Sequence, residues 1–129
     1  MKLQPDKYDV PSINGYGPGW IAIDGQKHHG SVVVSSQGEQ FDWGATRFED
    51  LNEGHFAQLA ALDCEVVVFG SGLRNRFPPA AWLRPLMERR IGLETMDTQA
   101  ACRTYNILAG EGRKVAAALL LEDAQAPSP

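Results

Sequence analysis

A glycine-rich loop with two arginines is the first segment whose residue types could do chemistry. Gly70, Ser71 and Gly72 come directly after a continuous apolar strand, and Arg74 and Arg76 follow. Ligands of open α/β sheets bind at the carboxyl ends of strands, where free backbone N–H groups and guanidinium groups could hold a phosphate or a carboxylate. The loop matches neither phosphate-binding glycine motif. We therefore predict an anion-binding loop, with a simple turn out of the strand as the alternative.

A second candidate pair lies on the last predicted helix. At 100° per residue, Thr104 and Glu111 share one flank two turns apart, where a hydroxyl and a carboxylate could line a groove. The alternative is that Glu111 pairs with Arg113 or Lys114 at the surface. A binding site or a weak enzyme built from these groups requires the groove to converge with the Gly70–Arg76 loop.

The same projection separates the neighbouring polar residues of this helix. Tyr105 falls on the core side, where its hydroxyl needs a hydrogen-bond partner, whereas Asn106 falls on the wet side. Thr104, Tyr105 and Asn106 therefore point three ways and cannot form one catalytic cluster. Asp97 immediately precedes the helix and is predicted to be its N-cap. The predicted core stripe consists of Ala101, Cys102, Tyr105, Leu108 and Ala109.

The histidines and cysteines do not assemble into a reactive set. His28 and His29 would point to opposite faces of a strand, His55 lies on a helix, and a metal site would need a further ligand. Cys64 and Cys102 stand among apolar neighbours and are predicted to be reduced core residues rather than a disulfide. We predict no catalytic residue, no metal and no cofactor.

The elements that must position these residues follow the order β-β-β-α-β-α-β-α-β. The first third is predicted as an antiparallel meander, with a hairpin at Asp24-Gly25 and a strand over 27–34. Alternating strands and helices in the second half imply parallel crossovers and helices on both faces of one mixed sheet. We predict a single three-layer α/β domain over 13–121, an irregular arm over 1–12 and a flexible tail over 122–129.

Three details of the helices follow from their flanking residues. The first helix is predicted over 52–62 with Asn52 as N-cap. Pro85 either kinks the second helix or lies in the first turn of a shorter one. Gly92 is predicted to end that helix as a left-handed C-cap.

The charge distribution points to a partner rather than to nucleic acid. The net charge is −4 and the isoelectric point is about 5.3, which is unusual for a nucleic-acid binder. Residues 74–114 nevertheless carry a net charge of +4, so Arg74, Arg76 and Arg89 are candidates for binding an acidic partner, with solvated helix faces as the alternative. The sequence shows neither a signal core nor a membrane-spanning run, and we expect no membrane insertion and a cytoplasmic location.

The residues around the last helix carry a family resemblance. The segment 94–115 matches the pattern E-x-M-D-T-x-x-A-x-x-T-Y-N-x-L-x-x-E-x-R-x-V. With the glycine loop and Arg76-Phe77-Pro78, this pattern resembles the small α/β family that includes the mitochondrial respiratory complex I assembly factor 3. The resemblance implies a three-layer fold with a mixed sheet. It also implies a non-catalytic assembly role carried out with a protein partner.

Two functional hypotheses follow from these observations. The first is a bacterial, non-catalytic accessory protein that is similar to a respiratory-complex assembly factor and acts through protein–protein contacts. The alternative is a small anionic-ligand-binding protein or a weak enzyme that uses the Gly70–Arg76 loop.

Overall fold

Residues 10–122 form two β-sheets and three α-helices. The computed structural model describes residues 10–122, and all structural statements concern this range. The strands are β1 (Ile13–Gly17), β2 (Trp20–Ile23), β3 (Gln26–His28), β4 (Val32–Ser35), β5 (Gln40–Asp42), β6 (Val66–Gly70), β7 (Gly92–Met96) and β8 (Val115–Leu119). The helices are α1 (Glu53–Ala60), α2 (Arg84–Glu88) and α3 (Thr98–Gly110), and short 3-10 helices cover Phe48–Asp50 and Ala80–Leu83.

The larger sheet is mixed, as the element order predicts. Its strand order is β5-β4-β8-β6-β7, in which β6 runs parallel to both β7 and β8, whereas β4 runs antiparallel to β5 and β8. The crossovers from β6 to β7 and from β7 to β8 contain α2 and α3, which is the connection that parallel strands require. All five residues of β6 are buried, as expected for a strand covered on both faces.

Side chains on the two faces of this sheet enter separate cores. Val67 and Phe69 pack with α1, α2 and an aromatic cluster around Trp43. Val66 and Val68 pack instead against α3 and the smaller sheet, β1-β2-β3. The alternation follows from the two-residue period of a strand. The predicted three-layer domain with a mixed central sheet is confirmed.

The predicted N-terminal meander is divided between the two sheets. Both halves are antiparallel, and Asp24 and Gly25 form the predicted hairpin with positive φ angles of 50° and 86°. The strand predicted over 27–34 is wrong, because the chain passes from one sheet to the other between β3 and β4. Ser31 marks the crossing: its carbonyl accepts from the Trp43 N–H at 3.0 Å and its hydroxyl accepts from the Leu121 N–H at 2.8 Å.

Strand β1 occupies a glycine-rich segment. Its glycines are needed because the Trp20 indole lies against the backbone of the neighbouring strand. A Cβ atom on Gly17 would stand 2.6 Å from the indole nitrogen. The absence of side chains at Gly15 and Gly17 leaves room in this strand for the Trp20 ring.

The flanking residues of α1 and α2 act partly as predicted. Asn52 caps α1 by accepting from the Gly54 N–H at 2.8 Å. Pro85 lies in the first turn of the short helix α2, where its missing N–H costs nothing. The C-cap predicted at Gly92 is wrong: Gly92 begins β7, and the left-handed residue after α2 is Arg90, with φ 58°.

Gly70 sets the distance between the central strand and α3, which yields a test of the packing. A Cβ atom there would lie 2.9 Å from Thr98 Cα and 3.1 Å from Ala101 Cβ. Gly70→Ala should therefore lower the free energy of unfolding by about 1–3 kcal/mol through overpacking. Urea unfolding at neutral pH measures this change.

Gly110→Ala is the matched control for this substitution. A Cβ atom at Gly110 meets nothing within 4 Å, so the change should be neutral or should stabilise α3 by up to about 1 kcal/mol. Equal stability losses in the two variants would contradict a close contact at Gly70.

Candidate functional site

Thr98 joins three segments at the carboxyl edge of the parallel strands. Its hydroxyl donates to the carbonyl of Leu120 at 2.6 Å and accepts from the N–H of Gly72 at 2.9 Å. Its own backbone N–H donates to the carbonyl of Gly72 at 2.9 Å, and the residue is buried. Thr98 thus fixes the loop after β6 and the chain after β8 to the start of α3. Sequence analysis did not single out this residue, although a threonine directly after a predicted N-cap was visible.

The Gly70–Arg76 loop uses its own hydrogen-bond donors inside the protein. The N–H of Ser71 donates to the carbonyl of Met96 at 2.8 Å, and the N–H of Arg76 donates to the Ser71 hydroxyl at 2.8 Å. The N–H of Gly72 is held by Thr98, as described above. The prediction of free N–H groups around a bound phosphate is wrong at these positions, because β7, the loop itself and α3 each supply a protein acceptor.

The anion that this loop holds is a carboxylate of the same chain. The Glu122 carboxylate accepts from the Arg76 guanidinium and from the Leu73 N–H at 3.2 Å. Arg76 also donates to the Ser71 carbonyl at 2.9 Å and lies 4.8 Å from the centre of the Phe48 ring. Arg76 is therefore committed to internal contacts. Glu122, predicted to begin the flexible tail, is anchored; residues 123–129 lie outside the described range.

The environment of Glu122 lowers its pKa. Burial alone would raise the pKa by disfavouring the charged form. The hydrogen bonds from Arg76 and from the Leu73 N–H, together with the guanidinium charge, outweigh burial, so the pKa of Glu122 lies below its usual value. The ion pair contributes to folding only while this carboxylate is ionised.

The two remaining arginine candidates are exposed. Arg74 and Arg89 both lie at the surface, and neither belongs to an ion pair among residues 10–122. Of the three predicted partner-binding arginines, Arg74 and Arg89 are free to contact another molecule, whereas Arg76 is not.

Thr104 and Glu111 do not converge with the loop. The Thr104 hydroxyl lies 3.3 Å from the sulfur of Met96. Glu111 is exposed and follows the last turn of α3, about 20 Å from the helix start at 1.5 Å per residue, whereas the loop contacts that start. The predicted groove shared with the loop is therefore wrong. The alternative pairing of Glu111 is not observed either: Arg113 pairs with Glu65 at 3.1 Å and Lys114 with Asp63 at 3.3 Å.

Tyr105 and Asn106 dock the N-terminal segment onto α3. Tyr105 is buried as predicted, and its hydroxyl donates to the carbonyl of Pro11 at 2.9 Å. Asn106 was predicted on the wet side, but its amide bonds both backbone groups of Ile13, accepting from the N–H at 2.9 Å and donating to the carbonyl at 2.7 Å. Tyr105 and Asn106 therefore have structural roles. Strand β1 covers the face of α3 that the helical projection assigned to solvent.

The cysteines are structural, as predicted. Cys102 lies on α3 and is fully buried against the sheet face that this helix covers. Burial raises the pKa of its thiol to about 12. Cys64 packs against the opposite core, and burial and the nearby Asp63 raise its pKa to about 11. The two thiols lie on different faces of the sheet and remain protonated at neutral pH.

A cavity of about 320 Å³ opens beside Thr98, at the carboxyl edge of the parallel strands. Its walls are the β1–β2 turn with its aromatic residues, the loop after β6, the first residues of α3 and the chain after β8. Sequence analysis missed the β1–β2 wall, whose signal was a glycine-rich run between Tyr16 and Trp20. The lining residues are Tyr16, Gly17, Pro18, Gly19, Trp20, Ile21, Gly72, Leu73, Asp97, Thr98, Gln99, Leu120, Leu121 and Glu122.

The described part of the chain contains neither a candidate metal site nor a candidate membrane-spanning helix. Between residues 10 and 122, no three His, Cys, Asp or Glu side chains are grouped so that they could hold a metal ion. Over the same range, no helix is both long and apolar enough to cross a membrane.

The ion pair of Glu122 predicts a specific pH dependence. Because the folded-state pKa is lowered, its stabilisation is present above the usual carboxyl pKa of about 4.3 and is lost as the pH falls through the folded value. Glu122→Gln should therefore flatten the fall in unfolding free energy between about pH 5 and pH 3. Urea unfolding at a series of pH values measures this slope.

Asp42→Asn is the control, since Asp42 is an exposed carboxylate on β5. It should retain the wild-type slope. The pKa of Glu65 is also lowered, chiefly by its hydrogen bond from Arg113. Its pH dependence is the same in the wild type and in both variants. An unchanged slope in Glu122→Gln would show that the contact with Arg76 does not form in solution.

Comparison with known proteins supports the family resemblance. The model of the family described as "Protein of unknown function (DUF498/DUF598)" matches residues 13–120. An uncharacterized protein of Rhodobacter capsulatus is 36% identical over 110 residues, which cover 84% of this chain and 82% of the relative. A crystal structure of a Bordetella parapertussis protein superposes with a TM-score of 0.82 at 34% identity, covering 88% of this chain and 97% of that one.

A eukaryotic relative carries a functional name. The NADH dehydrogenase [ubiquinone] 1 alpha subcomplex assembly factor 3 of Bos taurus is 31% identical over 110 residues, or 84% of this chain. The match spans 59% of the bovine protein's length. Residues 13–120, which the family model matches, contain the parallel strands, α3 and the hydrogen bonds of Thr98. The chain belongs to the DUF498/DUF598 family.

Proposed function

We propose that this chain is a non-catalytic accessory protein that binds a protein partner and assists the assembly of a complex in the cytoplasm. The name of the bovine relative supports an assembly role. The observation that carries the proposal is the exposure of large apolar side chains in the segment 73–90, whose exposed surface we propose as the interface. Leu73, Phe77 and Met87 are 71%, 73% and 66% exposed. Large apolar side chains exposed together on one segment are typical of protein interaction sites.

The cations around this surface indicate the chemistry of the partner. Arg76, Arg113 and Lys114 form ion pairs with carboxylates of the same chain. The cations of residues 74–114 that are available to a partner are therefore the unpaired ones. The same segment carries exposed arginines that have no ion pair among the described residues; they are Arg74, Arg84, Arg89 and Arg90.

The combination of side chains resembles a protein interface. Aromatic residues, methionine and arginine are enriched at interfaces, with apolar side chains at the centre and charged ones at the rim. A shallow groove in the same segment is lined by Ala80, Ala81, Arg84, Met87 and Glu88. We therefore infer a protein partner whose contact surface has an apolar centre and an acidic rim.

Removing two of the exposed apolar side chains should weaken partner binding. Leu73→Ser combined with Phe77→Ser deletes two exposed side chains whose burial would supply most of the binding free energy, so the affinity should fall at least about tenfold. Affinity capture from the native cells with quantitative mass spectrometry identifies the partner, and titration of the purified partner measures the affinity.

Ile107→Ser is the matched control, because Ile107 is 60% exposed on α3, outside the proposed surface. It should keep the wild-type affinity. If the double variant remains folded and binds every partner as tightly as this control, the surface between residues 73 and 90 is not the interface.

The arginines should act mainly on the association rate. Arg74→Glu combined with Arg89→Glu reverses two rim charges without removing apolar area, so the association rate should fall and lose its dependence on ionic strength. Stopped-flow or surface-based kinetics at low and physiological salt distinguishes this result from a faster dissociation. A salt-independent association of the wild-type protein would contradict an acidic partner.

A further inference from the structure

We propose that the outer edge of β7 binds an extended segment of a protein partner as an added antiparallel strand, with a basic side chain opposite Glu94. This inference rests on the proposed function for the existence of a protein partner, and it adds how part of that partner is recognised. Strand β7 is the last strand in the order β5-β4-β8-β6-β7, so within the sheet it pairs with β6 on one side only. Addition of a strand to such an edge is a recurring mode of peptide recognition.

The backbone of β7 leaves two residues available at this edge. In a parallel ladder, alternate residues of a strand direct both backbone groups toward the same neighbour. The Gly92 N–H and the Met96 carbonyl bond to the residues that flank β6, at 3.0 Å and 2.8 Å, so Gly92, Glu94 and Met96 face β6. Leu93 and Thr95 therefore face outward. Their N–H and carbonyl groups form no hydrogen bond with the backbone of another element among residues 10–122.

The other strand edges within the described range are less suited to an added strand. Strands β3 and β5 have three residues each. Strand β1 contains an irregularity between Ile13 and Gly15, and the Asn106 amide holds the backbone of Ile13. Strand β7 has five residues in unbroken register with β6, and it begins at the exposed Gly92. A regular, open edge of this kind is a template for a further strand.

Thr95 indicates the side chain that should lie opposite it. Its hydroxyl oxygen is buried and has no hydrogen-bond partner among residues 10–122, which is unfavourable for a buried polar group. Side chains directly opposite each other in an antiparallel pair lie within reach, and threonine and serine form hydrogen bonds there. The partner segment should therefore carry a threonine or a serine opposite Thr95.

The neighbouring residues specify the next two positions of the segment. Glu94 is exposed and has no ion pair among the described residues, so an opposite basic side chain is favoured. Leu93 is partly buried against the core on the α2 side, so an apolar side chain is favoured there. The segment thus contains a hydroxyl residue, a basic residue and an apolar residue in this order.

The charges before β7 specify the end of the segment. Arg89 and Arg90 directly precede the turn into β7, and both are exposed without an ion pair in the described range. Antiparallel pairing brings the carboxyl end of the partner segment toward them. Acidic residues at that end are therefore favoured, which agrees with the acidic rim inferred for the partner.

A second copy of this chain fits the edge less well. A closed dimer would pair two β7 strands around a two-fold axis. The register that pairs all five residues of each strand places Glu94 opposite Glu94 of the other copy, and like charges directly opposite are destabilising. A shift by two residues separates the carboxylates but shortens the ladder. The single charge on this edge thus favours a different chain.

The test uses the synthetic peptide acetyl-Val-Thr-Lys-Val-Ser-Asp-Asp-amide, whose second, third and fourth residues pair with Thr95, Glu94 and Leu93. The peptide is titrated into the full-length ¹⁵N-labelled protein, and amide hydrogen exchange is followed by NMR. In the free protein, the amides of Leu93 and Thr95 should exchange faster than that of Glu94, which faces β6. Saturation with the peptide should slow the exchange of the two outward amides at least about tenfold.

Methylation of the peptide tests the backbone pairing. A methyl group on the amide nitrogens of the second and fourth residues removes the donors that face β7, so it should abolish binding. The matched control carries the methyl group on the third residue, whose N–H faces away from β7, and it should retain binding.

Two protein variants test the side-chain pairs. The wild type should prefer the peptide above to one with glutamate at the third position by about fivefold, and Glu94→Lys should reverse this preference. Thr95→Val keeps the side-chain shape and removes a hydroxyl that has no partner in the described residues. It should weaken peptide binding about two- to fivefold without lowering the stability of the free protein.

The proposal is overturned if the peptide shows no saturable binding, or if Leu93 and Thr95 are already as protected as Glu94 in the free protein. It is also overturned if both methylated peptides bind equally, if Glu94→Lys leaves the preference unchanged, or if sedimentation velocity shows a dimer that protects the same amides. The variant with Leu73→Ser and Phe77→Ser should bind the peptide like the wild type. A failure of the proposed interface and a failure of the β7 edge therefore give different results.

Discussion

The hydroxyl of Thr98 is the interaction on which the arrangement of this fold depends. It donates to the chain after β8 and accepts from the loop after β6, at a position where α3 begins. Because both bonds are buried, losing the hydroxyl would leave the Gly72 N–H and the Leu120 carbonyl without a hydrogen-bond partner. The close approach of Gly70 to Thr98 Cα keeps these groups within reach. The cavity and the loop are therefore built around one side chain.

The ion pair between Arg76 and Glu122 explains how an anion-binding pattern can be satisfied without a ligand. A glycine loop followed by arginines does attract a carboxylate, but the structure supplies it from the same chain. This internal pairing also removes Arg76 from the cations of residues 74–114 that could contact a partner. Exposed arginines between Arg74 and Arg90 remain outside ion pairs among the described residues, and the same segment exposes Leu73, Phe77 and Met87.

Local sequence patterns predicted those features that depend on neighbouring residues. The parallel second half, the cap at Asp97 and the burial of Tyr105 follow from periodicity and capping chemistry. The split of the meander, the anchoring of Glu122 and the cavity do not, because each depends on contacts between distant segments. Asn106 is the clearest example: a helical projection places it on the wet side, and it becomes half-buried because β1 packs over it.

The bonds from α3 to the N-terminal segment also bear on the order of folding. Asn106 holds Ile13, and Tyr105 holds Pro11, across sequence separations of 93 and 94 residues. Contacts between such distant residues close late, because a long loop must be ordered first. During synthesis the smaller sheet has no docking surface until α3 has been made. The Tyr16–Trp20 wall of the cavity is then among the last parts of the molecule to reach its final position.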